Sequence, residues 1–243
     1  MFFFKPKSIH IDCFTSSENV ATYNPIRRAI HFIPEWWKKL DKTYMELDLP
    51  SAIEIESPTM KTCVGFVELY RHGLIIPLWS DLALEVINRE YRYKFAIRKG
   101  NIGNHSPKQH GDSFNNHLHM KITSPWLLKE KTGVKFLYKG CTWTLLNEAP
   151  KITVLDGVLN FKHQISTNIN CMAAVEPTPY KYTLQAGMPF TQLIPLSDKP
   201  VVPHIHVLNE EEYRRMDSAG DHFKFKDAYA SKKKAVKELS ETE

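Results

Sequence analysis

Apolar and polar residues alternate in short runs over most of this 243-residue chain, with Gly-, Pro- or Asn-containing breaks between the runs. A two-residue period sends one class of side chain to each side of a pleated strand, so the pattern points to antiparallel strands with one buried face. The runs are SIHIDCF near the start, then CVGFVELY, LIIPLWSDLALEVI and EYRYKFAI, then LHMKITSPWLLK, GVKFLYKG, CTWTLLN, KITVLDG, VLNFKHQI, CMAAVE, YKYTLQAG and FTQLIPL. The expected fold class is mainly β, with an antiparallel sandwich as its core.

Two segments depart from the alternation. Pro34 followed by Glu35-Trp36-Trp37-Lys38-Lys39-Leu40 predicts a short helix with Pro at its opening and an acid in its first turn. Its Trp pair reads as a plug closing one end of a core rather than as a ligand platform. After Pro203, Asn209 caps an acid-led helix over NEEEYRRM, and a lysine-rich helix follows to the end. These breaks divide the chain into a single β-rich domain over 1–203 and a helical, lysine-rich tail over 204–243. Within the domain, the polar stretch of residues 99–116 predicts a long loop, a lid or a partner-binding element.

Apolar residues at 42% and charged residues at 24% allow an ordinary globular core. The surplus of 32 basic over 27 acidic residues is small, and part of it sits in Lys232-Lys233-Lys234, so nucleic acid is not an expected partner. Lys5, Pro6 and Lys7 interrupt the opening Phe run before a signal-peptide core develops, and no apolar run approaches the ~20 residues of a membrane span. A soluble protein with no membrane partner is the expectation. Cys13, Cys63, Cys141 and Cys171 are too far apart for a short metal clasp and read as reduced thiols.

Eleven histidines include two HxH pairs, His117/His119 and His204/His206, the second followed by Glu210. Alternate strand positions aim two imidazoles to one side, which makes these four residues the metal candidates. The glycines that accompany such a motif in cupins are missing, however, and Pro203 is expected to break strand pairing there. Solvated or hydrogen-bonded imidazoles are therefore expected, and no cofactor is. No GxSxG, P-loop, HExxH or GxGxxG is present.

The segment AGMPFTQLIPL resembles the closing hairpin of the dUTPase and dCTP-deaminase superfamily, a trimeric β-clip fold, and GVKFLYKG and LDGVLNFKHQI stand upstream in the order that superfamily uses. The resemblance implies a pocket formed by Asp156, Asn160, His163 and Gln192. Asn160 stands where those enzymes carry their general-base Asp, and an amide cannot accept a proton at neutral pH. Asp156 is the one substitute base at hand. The resemblance also implies that the segment forms a trimer surface with Gln192 bonded across the boundary; the same residues read equally as part of a monomer's own core.

Over most of the chain, IPEWWKKL, SPTMKTCVGFVELYRHGLIIPLWSD, SPWLLKEKTGVKFLYKG, VLDGVLNF and AGMPFTQLIPL are similar to a family of proteins of unknown function from tailed bacteriophages and some bacteria. Ser124 and Glu130-Lys131 depart from that family's Asn and Thr-Pro. Together the resemblances imply a non-enzymatic phage structural or accessory protein acting through contacts with itself, other phage proteins or host proteins, located in the host cytoplasm or the virion. The alternative they imply is a divergent nucleotide-binding enzyme or regulator.

Overall fold

A computed structural model describes residues 8–48, 50, 53–97, 101–111, 113–145 and 152–218. The fold is mainly β. The largest sheet is ordered β11 (Ile152–Val154), β13 (Ser166–Ala174), β9 (His117–Glu130), β1 (Ile9–Thr15), β16 (Val201–Val207), with β8 (Asn101–Asn104) also paired to β9. A second sheet is ordered β12 (Gly157–Asn160), β10 (Lys135–Gly140), β15 (Pro189–Pro195), β5 (Leu74–Pro77), β2 (Arg27–Arg28). Three strands, β14 (Tyr180–Leu184), β6 (Leu82–Ile87) and β7 (Glu90–Phe95), form a third sheet, and β3 (Thr43–Asp48) with β4 (Ile53–Pro58) a fourth.

Strict alternation builds the core. Ile9, Ile11 and Cys13 of β1 face inward with Met120, Ile122, Trp126 and Leu128 of β9 and with Ile169, Cys171 and Ala173 of β13. They join Leu74, Ile76, Phe136, Tyr138 and Leu193 of the second sheet and Leu82, Leu84 and Val86 of the third in one apolar cluster. The opposite face of the second sheet is covered too. There Ile75 packs with Phe66 and Tyr70 of α3 (Val64–Arg71), flanked by Trp36 and Trp37 of α2 (Glu35–Lys39) and by Trp143 of α4 (Thr142–Leu145). The Trp pair is the expected plug, locked by ring contacts of 5.5 Å from each Trp to Phe66.

Several sequence expectations need correction. CVGFVELY is helix α3 rather than a strand, because its buried Phe66 and Tyr70 lie four residues apart, on one face of a helix. CTWTLLN opens into α4, where Trp143 turns toward Phe66. The polar stretch 99–116 holds strand β8 and a short 3-10 turn at Pro107–Gln109, so it is not loop throughout. Pro203 does not break pairing: β16 lies parallel to β1 with Pro203 opposite Ile11, and an edge strand tolerates a residue that donates no ladder bond. The 203/204 boundary consequently falls inside β16, and the tail begins beyond Val207. Asn209 does cap helical residues 210–218: its Oδ1 accepts from Glu212 N at 2.9 Å. The lysine-rich end and the opening Phe run lie outside the described residues.

The stretch around Gly187 is not a hairpin. β14 pairs with β6 and β15 with β5, so two long antiparallel segments run side by side and bend together into two sheets. At the bend Gly187 N donates to Leu78 O at 2.7 Å and Leu78 N to Met188 O at 2.9 Å. Gly187 has φ +81°, which a side-chain-bearing residue adopts only under strain. Among the described residues no helix is long and apolar enough to cross a membrane.

Candidate functional site

The residues suggested for a nucleotide pocket do not meet. Asp156 stands just before β12 and Asn160 ends it, ~13 Å apart along an extended segment, and Asp156 and His163 are exposed. Asn160 is committed to local structure: its Nδ2 donates to Gly133 O at 3.4 Å and its Oδ1 accepts from Lys162 N at 3.0 Å. Gln192 is buried in the centre of the second sheet. Its Nε2 donates to Leu69 O at 2.7 Å and to His72 O at 3.3 Å, tying the end of α3 to β15. Those bonds are spent inside the chain, which corrects the expected bond across a subunit boundary. β15 is flanked by β10 and β5, and Phe190, Thr191 and Leu193 are buried, which favours the reading of these residues as part of the chain's own core.

The two histidine pairs occupy separate places. β1 meets β9 only at Leu127–Glu130, while His119 lies eight strand residues away, ~26 Å. His204 Nε2 is 2.9 Å from His10 Nδ1, and His206 Nε2 is 2.9 Å from Asp12 Oδ1 while its ring stacks on Phe14 at 4.8 Å. This ladder fastens edge strand β16 to β1. His119 instead stacks on His105 with centroids 4.2 Å apart, and His110 stands 6.1 Å away. Both ring nitrogens of His119, and Nε2 of His105, are buried without a hydrogen-bond partner. Burial, and then the neighbouring His105 and His110, hold the His119 pKa below its ordinary value. Stacked imidazoles turn their faces, not their lone pairs, toward one another, and among the described residues no three His, Cys, Asp or Glu side chains are grouped to hold a metal. His117 is turned to Phe114, at 6.5 Å.

Cys13, Cys141 and Cys171 are buried, and burial raises all three thiols, Cys141 to about 12. Because the thiolate is the nucleophile, these residues serve packing.

The feature that the sequence reading passed over is the β3–β4 arm. Among the described residues its two strands pair only with each other, and Tyr44, Met45, Leu47, Ile53 and Ile55 are 46–60% exposed. A two-stranded hairpin is marginal alone in water, so its root must be held. Thr59 N donates to Lys42 O at 2.9 Å, Trp37 Nε1 to Met60 O at 2.9 Å and Lys61 Nζ to Lys38 O at 2.7 Å. The cross-strand register puts Met45 and Leu47 beside Glu56 and Glu54 on one face, and Tyr44, Ile55 and Ile53 beside Glu46 and Asp48 on the other. The alternation in TYMELD and IEIE could have revealed the strands. Chemically, the arm offers apolar side chains, four carboxylates and two open strand edges: the equipment for binding another protein. No protein-family model matches this chain, and comparison with curated proteins finds no match.

Proposed function

We propose that this chain is a non-enzymatic structural or accessory protein of a tailed bacteriophage, working through protein contacts, with the β3–β4 arm as its contact element. The observation that carries the reading is five large apolar side chains held exposed on a hairpin whose root is anchored and whose faces are uncovered. Exposed apolar surface of this kind costs solubility unless a partner covers it. The similarity to phage proteins in the Trp-Trp helix, the K-x-C segment and AGMPFTQLIPL supports the setting.

The test is a photo-crosslinking amino acid at Leu47, with exposed Thr153 as control, in cells making the protein in its native setting. Discrete protein adducts at position 47 and none at 153 are expected. Absence of adducts at 47, or a thermal stabilisation specific to one deoxynucleotide, overturns the reading.

A further inference from the structure

We infer that the partner of the arm is a second copy of this chain, and that the arm seats on the open face of the β7–β6–β14 sheet. This docking rests on the contact role proposed above and names the surface that receives it.

Charge separates the two surfaces. Residues 43–58 carry Glu46, Asp48, Glu54 and Glu56 and no Lys or Arg, a formal charge of −4 in a chain of net +5, so the rest of the chain carries +5 − (−4) = +9. The third sheet has one face in the core, through Leu82, Leu84 and Val86, and one face open. Register places Arg92, Glu85 and Lys181 in one row across the open face and Lys94, Ala83 and Thr183 in the next. These residues line a shallow depression of about 320 Å³. Glu85 is paired with Lys181 at 2.8 Å and stands opposite Arg92, and Lys94 stands opposite the small Ala83 with Thr183 on its far side. Glu90 opposite Ile87 ends the face, and the cations Arg92 and Lys94 lie along β7.

The face of the arm bearing Met45, Leu47, Glu54 and Glu56 matches this tray in chemistry. With β4 laid along β7, Glu54 and Glu56 share the two-residue spacing of Arg92 and Lys94, and Met45 and Leu47 fall over β6, one of them against Ala83. Two sheets packed face to face lie ~10 Å apart, and three strands spaced ~4.8 Å apart give a tray as wide as a two-stranded arm requires. The same charges oppose arm-to-arm packing on this face, since the glutamates of the two arms would meet.

The experiment uses the full-length protein and two exposed double variants, E54K/E56K in the arm and R92E/K94E in the tray, with mass in solution followed across a wide concentration range. Wild type associates into a dimer or larger closed assembly; each variant alone weakens association by about tenfold or more; an equal mixture of the two variants restores it, because each arm then meets a tray of opposite charge. Association also weakens when salt rises from ~0.15 to ~1 M and the screening length falls from ~8 to ~3 Å. Circular dichroism of each variant confirms that its fold is retained. A monomeric wild type at every concentration, variants that associate like wild type, or a mixture that stays monomeric overturns the inference. If wild type is monomeric while Leu47 still crosslinks to other proteins, the docking fails and the contact role stands; if both fail, so does the contact role.

Discussion

Glu130 closes β9 and is 1% exposed, a position where a carboxylate survives only if its oxygens are satisfied. Its Oε1 accepts from Thr132 N at 2.7 Å and Thr132 Oγ1 at 2.6 Å, and its Oε2 from Gly133 N at 2.6 Å and Val134 N at 3.2 Å. This clasp shapes the turn that carries the chain from the first sheet into β10 of the second, and Asn160 braces the same turn at Gly133 O. Burial alone would raise the Glu130 pKa; the bonds from Thr132, Gly133 and Val134 outweigh it and hold the pKa below its ordinary value.

Replacement by Gln retains the shape and removes the charge. One amide NH₂ then faces two of the former donors, leaving an orphan N–H at a cost of ~1–3 kcal/mol, and the two bonds that remain lose charge assistance, ~1 kcal/mol each. Thr132 is exposed and reaches water in part, so the expected loss is about 2–4 kcal/mol. With a urea slope near ~2–3 kcal/mol/M for a chain this long, the unfolding midpoint falls by roughly 1 M in Glu130→Gln at pH 7. The sign of the pH dependence follows from the lowered pKa. Stabilisation by Glu130 is complete above the unfolded value near 4.5 and is lost as the pH falls through the folded value, so the gap between wild type and variant narrows on acidification below 4.5. Equal midpoints at pH 7, or a gap that does not narrow in acid, refute the clasp.

Phe66→Ala opens a hole among Trp36, Trp37, Tyr70 and Trp143 and should cost about 3–5 kcal/mol in urea unfolding, with a red shift of tryptophan emission; unchanged emission would show that the rings do not pack there. At Gly73, with φ +82°, an added Cβ would lie 2.1 Å from Leu193 O, whereas at Gly187 it would meet Asn24 Oδ1 at 3.0 Å. Gly73→Ala should therefore lose about 4 kcal/mol or more and Gly187→Ala about 1–2, a ranking that equilibrium unfolding of the pair checks. His119, whose pKa is lowered, takes up a proton more readily unfolded than folded, so acidification below about 6.5 opposes burial of its ring. Measured against intrinsic exchange rates at each pH, the protection of amides in residues 105–111 should fall between pH 7.5 and 5.5, and His119→Gln should suppress the fall; an equal fall in the variant places the effect elsewhere.

Alternation located β1 and β6, each of which buries one face, and apolar runs located β5 and β15, which are buried on both. The burial energy of two adjacent indoles placed Trp36 and Trp37 in a plug, although Lys61 Nζ lies 4.5 Å from the Trp37 ring. Alternation misread CVGFVELY, where Phe66 and Tyr70 satisfy the periods of both strand and helix, and the covering α2 and α4 lie far off in sequence. The site was less legible for a related reason. His119 stood out in an HxH pair, yet its neighbours His105 and His110 come from a stretch read as loop, brought over by pairing of β8 with β9. The arm repeats the pattern of a core strand: period two says which side chains share a face, not whether anything covers that face.

The Gly187 region shows where local chemistry stops determining structure. Ala-Gly-x-Pro between alternating runs carries the residues of a tight turn, and a positive φ at Gly187 bears that out locally. A hairpin, however, requires that β14 and β15 pair with each other, and each has another partner at hand in β6 and β5. Four residues, 185–188, face four, 78–81, across the bend, Ala186 N is held by Asp81 Oδ1 at 2.7 Å, and the register then shifts by one residue between Pro189 and Thr191. The glycine thus lets a two-stranded ribbon turn a corner between sheets, the use to which close backbone approach and permissive φ suit it. That corner delivers β14 and β6 to the third sheet, whose open face carries Arg92 and Lys94 along β7, the strip inferred above to receive the acidic arm of another copy.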